Sequence, residues 1–128
     1  MVGDIKFIQG LRGKVDAPRV IEASWEGDAG DGSIPETNTP DLHGKVNRIV
    51  TVPGTGSEVP TSYGLALLDV DGVDILNGNG VGRSATGRGH ILFDNPVAVN
   101  GPLTICITGQ TNVGATGKIV IYMDRDQI

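Results

Sequence analysis

The stretch RVIEASWE, Arg19–Glu26, decides the fold class. Pro18 and Gly27 close it off on either side, which leaves too few residues for a packed helix, since a helix needs about ten with apolar positions at i, i+3 and i+4. Its period is two instead. Ile21, Ala23 and Trp25 fall on one side, and Glu22, Ser24 and Glu26 on the other. That is the alternation of a strand with one buried face.

The same signal recurs along the chain. His43–Val52 (HGKVNRIVTV) is rich in β-branched residues and stops at Pro53-Gly54. Tyr63–Val70 (YGLALLDV) runs into Asp71-Gly72, a hairpin dipeptide, after which Val73–Leu76 reads as a short returning strand. His90–Phe93 is expected to stop before Asn95-Pro96. Leu103–Thr108 (LTICIT) sets Leu103, Ile105 and Ile107 against Thr104, Cys106 and Thr108, and Lys118–Met123 (KIVIYM) sets Ile119, Ile121 and Met123 against Val120 and Tyr122. Ile5–Gln9 adds a further short strand near the N-terminus. Seven to eight short strands separated by Gly- and Pro-rich turns, with no crossover helix, predict an all-β, single-domain antiparallel β-sandwich of jelly-roll-like form.

Two segments interrupt the pattern. Residues 27–41 (GDAGDGSIPETNTPD) carry acids and no base, and residues 77–89 (NGNGVGRSATGRG) are glycine-rich with Arg83 and Arg88. Each is expected as a surface loop, mobile unless a partner pins it, because it has few side chains to bury. Residues 1–18, with Lys6, Arg12 and Lys14, read as an extended N-terminal arm preceding a sandwich domain over residues 19–128.

Composition narrows the function. The 128 residues carry ten Lys and Arg against fifteen Asp and Glu, a net charge of −5, which argues against general nucleic-acid or anionic-membrane binding. The single cysteine, Cys106, excludes an internal disulfide and every cysteine-based zinc site. No apolar run approaches the roughly 18 residues of a membrane span, and the N-terminus has no secretory pattern, so the expected compartment is cytoplasmic.

Candidate chemical sites reduce to ordinary structure. Asp69, Asp71 and Asp74 cluster as calcium ligands might, but Gly72 comes too early for an EF-hand loop, so a turn is expected and no metal. Gly80, Gly82 and Ala85 match a dinucleotide fingerprint by letter, yet Gly87 and Gly89 deny it the helix that would face a phosphate. Cys106 sits between Ile105 and Ile107 as a half-buried thiol, and His43 and His90 have no nucleophile or carboxylate near them in sequence. No enzyme activity and no cofactor are expected. Trp25, Tyr63 and Tyr122 offer the residues of a sugar platform, although Trp25 shares its face with Ile21 and Ala23 and so reads as core. Arg83 and Arg88 are the most suggestive pair. They are cations on a flexible loop of an acidic protein, suited to carboxylates across an interface.

A set of strand and turn signatures carries a resemblance. They are Val50-Thr51-Val52-Pro53-Gly54, Pro60-Thr61, Tyr63, Leu65-Ala66-Leu67 and Asp69-Val70-Asp71-Gly72-Val73-Asp74. Arg83 follows, then Val99-Asn100-Gly101-Pro102-Leu103-Thr104, Thr108-Gly109 and Gly117-Lys118-Ile119-Val120-Ile121-Tyr122. Ala23-Ser24-Trp25, Asp28 and Asp31-Gly32-Ser33 fit the same pattern. From about His43 to Met123 the chain resembles small β-rich structural proteins of tailed bacteriophages, most closely the capsid decoration or cement proteins. The resemblance implies a structural virion protein that binds the outer major capsid protein lattice as a homodimer or homotrimer and stabilises the head, made in the host cytoplasm and found on the capsid surface. It implies no chemistry. Lys6, Arg12, Lys14, Arg83 and Arg88 are the candidate interaction residues. The alternatives are a neck or tail component and a carbohydrate-binding β-sandwich on the virion.

Overall fold

A computed structural model of the chain describes residues 4–11, 19–39, 42–58, 60–84 and 87–125. Eight strands are formed among them and no α-helix: β1 (Asp4–Leu11), β2 (Arg19–Glu26), β3 (Thr37–Asn38), β4 (Leu42–Pro53), β5 (Gly64–Leu68), β6 (Gly89–Gly101), β7 (Thr104–Thr108) and β8 (Thr116–Arg125). They make a five-stranded sheet in the order β1-β2-β8-β4-β6 and a three-stranded sheet in the order β3-β7-β5, and every pairing is antiparallel. From β2 onward the chain alternates between the sheets at every step. Pairing is nested about β5: β4 lies beside β6, β3 beside β7, and β2 beside β8.

The expected all-β sandwich is what forms, and period-two patterning is the reason. Ile21, Ala23 and Trp25 of β2 face Ile119, Ile121 and Gly117 of β8 across the ladder. Leu65 and Leu67 of β5 face Ile107 and Ile105 of β7 in the other sheet. All these side chains are buried in one core, with Leu42, Val46, Ile49, Tyr63 and Met123. Trp25 and Tyr63 lock the middle of it, ring edge to ring face, with centroids 5.5 Å apart and planes at 75°, an arrangement aromatic quadrupoles favour.

The structure departs from the sequence reading in four places. First, β6 does not stop at Phe93 but runs through Asn95-Pro96 to Gly101. Its register against β4 shifts between Val46 and Arg48, and β6 lies at the sheet edge. A bulged edge strand is where a residue without an N–H is tolerated. Second, Val73–Leu76 is no strand. It makes an isolated bridge from Asp74 to Leu68 and then a series of turns with Asn77 at φ 51°.

Third, both loops are fastened from within. In the acidic segment Ile34 and Thr39 are buried, Thr37 and Asn38 pair with β7, and the Gln110 amide donates to the carbonyls of Gly32 and Asn112. The glycine-rich segment lies along the free edge of β5, with Leu65 N–H donating to Gly80 O at 2.8 Å and Arg83 N–H to Tyr63 O at 2.7 Å. Backbone hydrogen bonds replace the side-chain burial that these segments lack. Fourth, the strand expected over Ile5–Gln9 forms, longer, as β1 (Asp4–Leu11), paired with β2 along its full length, so this part of the expected arm belongs to the sheet, and Ile5 joins the core. Residues 1–3 and 12–18, including Arg12 and Lys14, lie outside the described residues.

Candidate binding surface

The larger sheet turns one face to the core, and among the described residues no strand layer covers the other. Register sets three rows of positions across that outer face. The first holds Lys6, Ser24, Lys118 and Val52; the second Ile8, Glu22, Val120, Val50 and His90; the third Gly10, Val20, Tyr122, Arg48 and Leu92. Together with Arg88, one residue before β6, the β2, β8, β4 and β6 members other than Ser24 and Leu92 line a trough of about 510 Å³. Val50, Val52 and Val120 form a half-buried aliphatic floor, while Arg48, Arg88, His90 and Lys118 are exposed around it. Leu92, on the same face, is 64% exposed.

Charges on this face have few internal partners. Lys118 Nζ pairs with Glu22 at 2.9 Å. The Arg48 guanidinium lies over the Tyr122 ring, 4.8 Å from its centroid, a cation–π contact that holds the arginine upright without neutralising it. Among the described residues Glu22 is the only acid lining the trough. Among the described residues neither Arg48 nor Arg88 forms an ion pair with a carboxylate.

The five residues singled out from sequence divide accordingly. Arg88 stands at the trough and Lys6 occupies a register position in its first row. Arg83 does not reach outward as an unpartnered cation. It is half-buried, its backbone bridges to Tyr63, and its guanidinium donates to Asn79 O at 3.3 Å. Its position in the strap, residues 74–83 running along the free edge of β5, turns it inward. Arg48, Val50 and Val120 were not singled out as contact residues, and Tyr122 was considered only as part of a sugar platform. Each looks like an ordinary strand residue until register aligns four strands.

Other candidate groups are occupied by the fold. Asp69 Oδ1 accepts from the N–H groups of Asp71 and Val73. Asp74 accepts from Leu67 and Leu76 through Oδ1 and from Gly78 through Oδ2. These carboxylates shape the turn, and among the described residues no group of three or more metal-ligating side chains is assembled. His43 Nδ1–H donates to Asn100 Oδ1 at 2.6 Å across the β4–β6 ladder. Cys106 donates to Glu36 Oε2 at 3.1 Å; partial burial first and that carboxylate second push its thiol up to about 11. Trp25 and Tyr63 are buried against each other, so with Tyr122 on the outer face the three aromatic residues share no sugar platform. No family model, curated protein or solved structure matches the chain.

Proposed function

We propose that this is a structural virion protein that decorates the capsid, gripping the outer major-capsid lattice and stabilising the head, with copies of itself as homodimer or homotrimer. The observation that carries the reading is the open outer face of the larger sheet. A rigid, aliphatic-floored surface studded with arginine and lysine on a protein of net charge −5 suits contact with another protein better than bond-making chemistry.

Two further features support it. The nested pairing about β5 is compatible with the proposed jelly-roll form, an architecture that recurs in viral capsid domains, although fold alone assigns no function. The signatures on which the sequence is read to resemble phage structural proteins fall largely on strands and tight turns, the parts that give shape. Repetition on a lattice then converts modest single contacts into high avidity. Contact by the sheet face replaces Arg83 in this role and retains Arg88.

The test is quantitative mass spectrometry of purified particles. Copies in proportion to the capsid lattice are expected. A single ring's worth would move the protein to the neck or tail, and presence in infected cells with absence from particles overturns the proposal.

A further inference from the structure

We infer that the trough on the outer face of the five-stranded sheet binds an extended acidic segment of a partner polypeptide. The inference deepens the contact role proposed above by naming what the contact surface recognises.

Charge selects the sign of the ligand. The protein as a whole is acidic, yet among the described residues its trough is lined by Arg48, Arg88 and Lys118 against Glu22 alone. The Lys118–Glu22 pair is internally balanced at 2.9 Å, which leaves the two arginines to meet incoming carboxylates. Arginine suits this task, because its planar fork matches a carboxylate with two parallel hydrogen bonds.

The floor selects the kind of ligand. Val50, Val52 and Val120 present branched aliphatic surface between the cations, a match for apolar side chains. A single-stranded nucleic acid would need exposed aromatic faces to stack its bases, and a polyanionic sugar gains little from valine. The one aromatic ring in the trough, Tyr122, already has Arg48 above it.

Dimensions select the spacing. Arg88 flanks the first row and Arg48 stands in the third, one strand away. Two rows are about 13 Å apart along a strand and neighbouring strands about 4.8 Å apart, so the two backbones are separated by roughly 14 Å. An extended chain covers that in about four residues. Acids at i and i+4 would point the same way and reach both arginines, with an apolar residue at i+2 between them over the valines.

Selection of random displayed dodecapeptides on the full-length protein tests this. Enriched peptides are expected to carry two acids about four residues apart with an apolar residue between. Their affinity should fall with added salt, and by about tenfold or more on the double variant Arg48→Glu, Arg88→Glu. A thermal melt matching wild type shows that the variant is folded; should it not match, Arg48→Gln with Arg88→Gln takes its place. Failure to enrich any peptide, enrichment without acids, equal binding to a folded charge variant, or tighter binding of a heparin fragment or single-stranded DNA each overturns the inference. Peptide binding by a protein missing from purified particles would sink the virion proposal alone. Abundant copies on particles with no acidic peptide enriched would sink only the inference made here.

Discussion

At the scale of single residues, one tight constraint is a missing side chain. Gly117 lies on β8 opposite Trp25, and a Cβ built there would come within 2.4 Å of the indole ring. The indole is held in turn by Tyr63 and cannot withdraw. Gly117→Ala should therefore overpack the core at a cost of about 2 kcal/mol, read from the shift of a denaturant-unfolding midpoint; an unchanged midpoint would mean that the ring has room to move. Cys106 is constrained electrically. Its thiol is raised from 9.0 to about 11 by partial burial and by Glu36, and the thiolate is the reactive form. Alkylation by iodoacetamide at pH 8 should run at least about tenfold slower than for a free cysteine peptide, and Glu36→Gln should quicken it. The same shift has a stability sign. A thiol that holds its proton more tightly when folded supports the fold fully below pH 9 and loses that support as pH rises towards 11. Burial raises the Tyr63 phenol as well, which adds to the loss on the alkaline side. Melting temperature should fall across this window, and Cys106→Ser should flatten part of the fall.

At the scale of elements, the three-stranded sheet depends on a strap that is not a strand. Asp74 accepts three backbone N–H groups, including Leu67 on the free edge of β5, and Gly80 approaches Leu65 so closely that a Cβ would meet its carbonyl oxygen at 2.0 Å. The strap covers an edge that would otherwise offer unpaired N–H groups to other chains. Asp74→Ala should cost about 2 kcal/mol, because it leaves donors without partners, and should speed hydrogen exchange at the Leu67, Leu76 and Gly78 amides. Unaltered exchange at Leu67 would show that the edge is guarded by something else. This strap also marks where sequence ceases to be legible. β2, β7 and β8 announce themselves because one face of each is buried, so their apolar residues alternate. The strap buries little beyond Leu76 and leaves no periodic trace, so Val73–Leu76 reads as a strand only by analogy with a hairpin. β3 is two residues long, too short to have a period. Pro96 misplaces the end of β6 because a proline forbids a central strand and not a bulged edge.

At the scale of the whole molecule, the outer face was less legible than the core for a related reason. Lys6 and Arg88 stand out in the sequence as loose cations, but the trough exists only where β2, β8, β4 and β6 come into register, and those strands are far apart in the chain. Register also decides between two roles for the N-terminal segment. A free arm would leave the sandwich indifferent to its removal. β1, however, pairs with β2 through all eight of its residues and places Ile5 in the core. A chain lacking residues 1–18 should thus lose the burial of Ile5, worth about 2 kcal/mol, and expose the long edge of β2 as a template for another copy. Denaturant unfolding should show the lower stability, and sedimentation velocity should show self-association beyond that of the intact protein. If the shortened chain keeps its unfolding midpoint and its sedimentation coefficient changes only as its mass does, β1 is dispensable to the sandwich. Residues 4–11 would then be free to add their strand to a neighbour's sheet, the means by which an arm could bind a capsid lattice.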